Sequence, residues 1–214
     1  MKSYIKGKIK LFGEIVFGRL GMQDDFVGYE TLIDYIEKNK LHELEGDFLE
    51  IGAFMGGGRA KLARYANKYG KKLIIIDLFD PDFDSTPNNR GERMNWIYGK
   101  ILGKKNLKEI FDKNTRKERN IVVHSKDSKK VRLPEDTKLC FTFIDGNHDP
   151  DYVKNDFYLA RNKTVPGGVI AYHDYGGDLP QTTKAIRSMI DENGEKIIKT
   201  ELILEKTIIF ITLR

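Results

Sequence analysis

The stretch FLEIGAFMGGGRAKLA, Phe48 to Ala63, decides how the chain folds. It opens as an apolar strand interrupted by one carboxylate, Glu50. Gly52 follows, then the block Gly56-Gly57-Gly58, and then a helical spacing that puts Leu62, Ala63 and Ala66 on one face. A carboxylate near a strand end, bare backbone and a new helix together mark the crevice where open α/β sheets bind nucleotide-like ligands.

Outward from this unit the same alternation repeats. Apolar runs at 47–52, 72–77, 120–125, 139–145 and 168–174 are rich in Ile, Val, Phe and Leu, as strands buried on both faces should be. Helical patterns at 57–69, 151–162 and 182–193 separate most of them. Strands alternating with helices predict a parallel sheet with right-handed crossovers. The end of the chain departs from this. KTELILEKTIIFITLR, Lys199 to Arg214, holds two strand-like runs with almost nothing between, which only a hairpin can join, so the last strand runs antiparallel to its neighbour. Residues 1–45 precede the first strand and predict one or two helices, the better at 29–44. Residues 78–119 are too long for one crossover. They predict a loop rich in Asp, Pro, Asn and Gly, then helices at 94–102 and 107–113.

The 214 residues suit one domain, or one domain with an added segment, and 40% hydrophobic with 32% charged residues fits a soluble globular chain. No apolar run reaches the ~20 residues that span a bilayer. The basic N-terminus lacks the uninterrupted apolar core of a signal peptide. The single Cys140 excludes an intramolecular disulfide and a cysteine-based zinc site. It reads as a buried strand residue and fits a reducing, cytoplasmic location. The net charge of +5 is concentrated between Lys100 and Arg132, where twelve Lys/Arg stand against four Asp/Glu. With only Phe111 among them, these residues offer no stacking platform for single-stranded bases, so nucleic acid is not the expected partner.

Three ligands compete for the glycine loop. A dinucleotide needs G-x-G-x-x-G, and Phe54 stands where the second glycine belongs. A P-loop needs Gly-Lys-Ser/Thr, and the chain has Gly58-Arg59-Ala60. S-adenosylmethionine needs no phosphate cradle, and its ammonium and sulfonium give Glu50 an electrostatic purpose. Asp77, ending the second strand, could accept hydrogen bonds from ribose hydroxyls in either nucleoside ligand.

LEIGAFMGGGRAKLA, LIIIDLF, FTFIDGNHDPDYVKNDFYLARNKTVPGGVIAYHDY and the terminal hairpin together resemble the class I S-adenosylmethionine-dependent methyltransferases, in particular macrocin-type and other small-molecule O-methyltransferases. The resemblance spans about residues 46–214. It implies an α/β, Rossmann-like seven-stranded mixed sheet of order 3-2-1-4-5-7-6 with helices on both faces. It also implies a methyltransferase domain at 46–214, with residues 1–45 and the insertion at 78–119 as a cap. The cofactor is then S-adenosylmethionine, contacted by Glu50, Gly52, Ala53, Phe54, Gly56, Gly57, Asp77 and Asp145, with Ser125, Asp127 and Ser128 as an adenine-side wall. The acceptor is a small molecule, a sugar or another polyol or phenol, and homo-oligomerisation is left open.

Asp145 ends the fourth strand, and His173 and Asp174 end the fifth. Adjacent strands lie ~4.8 Å apart, so these ends converge. In related O-methyltransferases the matching positions are acidic and hold a divalent cation, Mg2+ or Mn2+. Here His173 stands where the second ligand is often acidic. The alternatives are turn-capping carboxylates and metal-free acid–base use. Asp145 and His148 are the candidate catalytic residues, His148 as a base with an unperturbed pKa of ~6.5. His42 and His124 read as structural. A competing class is an inactive methyltransferase-like module that binds RNA through residues 100–132.

Overall fold

The computed structural model describes residues 27–214. Seven strands form one sheet: β1 Asp47–Ile51, β2 Leu73–Ile76, β3 Ile121–His124, β4 Leu139–Ile144, β5 Thr164–Tyr172, β6 Ile197–Ile203 and β7 Ile208–Leu213. Their order is β3-β2-β1-β4-β5-β7-β6, as expected from the hairpin and the resemblance. β1 to β5 pair in parallel, and β7 runs antiparallel to both β5 and β6.

Every residue of β2, β4 and β7 is buried, because both faces are covered. On one face Phe48, Ile75, Phe141, Phe143 and Phe210 pack with the helices α1 Tyr29–Lys38 and α2 Gly57–Lys68. On the other, Leu49, Ile74, Ile144, Ile170 and Ile209 pack with α5 Pro150–Arg161 and α6 Pro180–Glu192. The neighbours Phe48 and Leu49 fall on opposite faces, as the pleat requires. The insertion after β2 carries α3 Met94–Leu102 and α4 Leu107–Thr115. These close a small core of their own, Ile101, Leu102, Leu107 and Ile110, around Met55 from the glycine loop.

α1 buries Tyr29, Leu32 and Ile36 against the sheet, Tyr35 stacks on Phe210 with ring centroids 3.7 Å apart, and among the described residues before β1 only Val27 lines the cleft. An apolar stripe this complete places the helix in the main core. The helix ends at Lys38, before a left-handed Lys40, and a short 3-10 turn at Leu41–Glu43 completes the predicted span. Residues 1–26, the rest of the proposed cap, lie outside the described residues. His42 bonds to the Tyr65 hydroxyl at 3.1 Å, and Cys140 is buried in β4. No helix among the described residues is long and apolar enough to cross a membrane.

Candidate active site

The glycines of the opening stretch answer first to the protein itself. Gly52 has φ +91°, and a Cβ there would fall under 3.0 Å from the backbone carbonyl of Asp145, because β1 and β4 are parallel neighbours whose ends lie side by side. Gly58 abuts the ring of Tyr29, where any side chain would collide. The bare backbone therefore lets strand end, helix start and α1 close on one another.

A cleft opens at the carboxyl ends of β1, β2, β4 and β5. Gly52, Phe54, Asp77, Ser128, Asp145, His148, His173 and Asp174 line it, together with Arg59 and Asp84. The insertion supplies an apolar wall of Pro81, Phe83, Met94, Ile97, Tyr98 and Ile101, with the Tyr98 and Phe54 rings 5.4 Å apart.

Six expected cofactor contacts do not line it. Ala53 is fully buried. Gly56 caps α2 in a left-handed conformation against Phe111, and Gly57 begins the helix behind it. Ser125 is exposed away from the cleft, and Asp127 caps the turn Ser128–Lys130 by accepting from the Lys129 amide at 3.0 Å. Glu50 is fully buried, its Oε1 lies 2.6 Å from Arg59 Nε, and it accepts from the Tyr29 hydroxyl. The charge expected to face a ligand cation faces Arg59. Burial pushes the Glu50 carboxyl up to about 7, against the pull of Arg59 and Tyr29.

Asp77 lines the cleft but also anchors the loop. Its Oδ2 accepts from the Ala53 and Phe54 amides at 2.5 and 3.0 Å, and its Oδ1 from the Phe79 amide at 2.6 Å. A carboxylate has about four lone-pair sites, so these bonds leave little capacity for a ribose.

Beyond β4 and β5 the charged groups form a chain. Asp84 Oδ2 is 2.5 Å from His148 Nδ1, and His148 Nε2 is 2.9 Å from Asp174 Oδ2. His173 Nδ1 lies 3.2 Å from Asp174 and 3.0 Å from Asp145 Oδ1, and Arg59 Nη2 lies 3.7 Å from Asp145 Oδ2. Burial works to lower both histidines. The carboxylates on either side overcome it, raising His148 to about 10 and His173 well above its ordinary value. Asp174, the shared partner, is held well below the usual carboxylate range by both imidazoles despite its burial. The reading of His148 as a base assumed an unperturbed imidazole, and here carboxylates face it on both sides. With no cation bound it therefore carries a proton at neutral pH and donates to Asp84 and Asp174; a cation would have to replace the Nε2 proton. Asp84 escapes sequence reasoning because it sits in a loop with Asp80 and Asp82, where Asp80 and Asp84 bond to nearby backbone amides like ordinary loop residues. Arg59 and Tyr29 escape it because their contacts cross the fold.

Metal-ligand spacing falls on Asp145, His148 and Asp174, whose donor atoms lie within 4.8 Å of one another. His148 thus takes the place expected for His173, which enters as an ion-pair partner of both carboxylates. One imidazole with two carboxylates suits Mn2+ or another first-row metal better than Mg2+.

The sequence profile of the methyltransferase domain family matches residues 49–175, more than half of the chain. The chain belongs to the methyltransferase domain family. No curated protein matches this methyltransferase. Among solved structures it is similar to the O-methyltransferase NovP, with 14% identity, a TM-score of 0.64, and coverage of 86% of this chain and 78% of that one. CalS11, a calicheamicin methyltransferase, gives 15% identity, a TM-score of 0.62 and coverage of 85% and 77%. A caffeoyl-CoA O-methyltransferase homologue from Staphylococcus aureus gives 12%, 0.57, 89% and 85%. At these identities the likeness is one of fold, that of class I S-adenosylmethionine-dependent methyltransferases.

At the floor of the methyltransferase cleft, Asp156 is buried in α5 and accepts from Asn155 Nδ2 at 2.9 Å. Burial raises its carboxyl to about 6, with Ser128 and Asn155 pulling the other way. A carboxyl raised on folding destabilises once ionised, so its penalty grows as pH rises from about 4 to about 6. Asp156→Asn is expected to stabilise the fold by on the order of 1–3 kcal/mol at pH 7.5, the gain vanishing near pH 4. Urea unfolding at the two pH values checks this. Equal or lower stability at pH 7.5 would contradict it.

Proposed function

We propose that the chain transfers a methyl group from S-adenosylmethionine to a hydroxyl of a small molecule, a sugar, another polyol or a phenol, with a divalent cation at Asp145, His148 and Asp174. One observation carries the reading: the cleft that holds the glycine loop and Asp77 also brings these three donor sets together at the ends of β4 and β5. The cofactor supplies a methyl already activated for in-line displacement. A divalent cation supplies Lewis acidity that makes a hydroxyl easier to deprotonate.

The chain's own residues do the rest. Asp84 fixes His148 through Nδ1, so the imidazole cannot rotate away from Asp174. His173 holds Asp145 and Asp174 together on the cleft side. The wall of Phe83, Met94, Ile97 and Tyr98 keeps water from the reacting atoms and orients the acceptor. No Asp/Asn-Pro-Pro-Tyr/Phe sequence follows β4, where amino-group methylators of bases usually carry one, and this supports oxygen as acceptor.

Calorimetry with S-adenosylhomocysteine, then labelled methyl transfer to a panel of hydroxylated acceptors with and without chelator, tests the proposal. Binding, with transfer that stops on chelation and returns with Mn2+ or Mg2+, is expected. Absence of binding would remove the cofactor reading, and transfer indifferent to chelation would remove the cation.

A further inference from the structure

We infer that Arg59 is a carboxylate-docking residue of the cleft and holds the amino-acid end of the cofactor, an inference that rests on the S-adenosylmethionine reading above. Arg59 lies in the first turn of α2, is almost completely buried, and yet lines the cleft, whereas its partner Glu50 does not. Its guanidinium is held from behind. Nε faces Glu50 at 2.6 Å, Nη2 donates to the Gly52 carbonyl at 2.7 Å, and Cζ lies 5.0 Å over the Tyr29 ring. Nη1 has no hydrogen-bond partner among the described residues.

A purely structural role explains this arrangement poorly. The Glu50 contact is close but not aligned as a hydrogen bond, and Glu50 Oε2 is buried without a partner. A buried ion pair satisfied so incompletely gains little over apolar residues of the same volume. Its placement makes sense if the cation is needed at the cleft wall and Glu50 steadies it there. Two other carboxylates act on Arg59: Asp145 is 3.7 Å away and already engaged by His173 at 3.0 Å, and Asp77 is occupied by the Ala53, Phe54 and Phe79 amides. The end of the cleft beside Gly52 therefore offers donors. A ligand ammonium would have to displace Arg59 from the Gly52 carbonyl. A carboxylate would complete the guanidinium's unfilled edge in the planar geometry that arginine favours. The arginine thus turns the sign of the interaction that Glu50 alone suggests.

The test compares S-adenosylhomocysteine with its decarboxylated analogue, S-adenosyl-3-thiopropylamine, by calorimetry on the full chain. The unmodified protein is expected to prefer the carboxylate ligand by about tenfold or more, as a charge-assisted pair predicts. In Arg59→Met that preference should fall to about threefold or less, while affinity for the decarboxylated ligand changes little. Arg59→Lys should retain part of the preference, because it keeps the charge and loses the fork. If Arg59→Met fails to fold, the paired variant Glu50→Gln/Arg59→Met removes both buried charges and is read by the same ratio. An unchanged ratio in the variant, or equal affinities in the unmodified protein, overturns the assignment. Failure of the unmodified protein to bind either ligand overturns the cofactor reading itself.

Discussion

Alanine at position 52 is expected to leave the chain largely unfolded at physiological temperature. Gly52 is left-handed at φ +91°, a region that costs a residue with a side chain about 1–3 kcal/mol by itself. The larger cost is steric. The new Cβ would lie under 3.0 Å from the carbonyl carbon and oxygen of Asp145 and from the Cα of Gly146, all backbone. No side chain can swing aside, so β1 must separate from β4 at the centre of the sheet. The backbone bond from the Asp145 amide to the Ile51 carbonyl, 2.8 Å long, lies at the point of separation. A total above ~4–5 kcal/mol is a large part of the ~5–15 kcal/mol that holds a domain together. Gly99 is the control. It sits inside α3, where an added methyl group would meet nothing within 4 Å, and alanine there should stabilise by up to about 1 kcal/mol. Thermal unfolding followed by circular dichroism checks both. A Gly52→Ala protein melting within a few degrees of the parent would refute the packing account.

That result would also separate what the sequence could reveal from what it could not. Strands β2 and β4 are legible because burial on both faces leaves continuous apolar runs, LIII and LCFTFI. The antiparallel β7 is legible because a connection as short as Leu204–Lys206 permits nothing else. The four glycines are legible as a turn but not as to cause: the Asp145 carbonyl and the Tyr29 ring that require Gly52 and Gly58 come from segments far along the chain. The site shows the same division. Asp145, His173 and Asp174 can be placed from strand ends, since a parallel sheet brings adjacent ends together. Asp84 cannot, because nothing in a loop of three aspartates tells which one meets a histidine 64 residues away. Arg59 reads in the sequence only as the residue that spoils a P-loop. Its role depends on Glu50, which a strand pattern places on the correct face without saying what sits opposite.

Asp174→Asn is expected to abolish most catalysis and to flatten the dependence of stability on pH. Asp174 has φ +60°, which asparagine tolerates, so the variant keeps the turn and removes the charge. Two imidazoles lose their common partner, His148 at 2.9 Å and His173 at 3.2 Å. In the parent, His148 holds its proton to about 10 in the fold, against ~6.5 when unfolded. A histidine raised on folding contributes stability that is fully present below about pH 6.5 and is lost as pH rises toward about 10. The parent should therefore weaken by a few kcal/mol across that window. The variant starts from a lower stability, because Asp84 and Asp145 alone remain to hold the two protons. It has less to lose as pH rises, and its curve should be shallower. Methyl transfer should fall by about 10²–10³, the scale for losing one charged contact of a preorganised site, here a carboxylate of the cation set, while S-adenosylhomocysteine affinity changes little. Urea unfolding from pH 6 to 10 reads the first effect and labelled transfer the second. Parallel pH curves for parent and variant would show that Asp174 does not hold the histidine protons, and unimpaired transfer would place the chemistry elsewhere in the cleft.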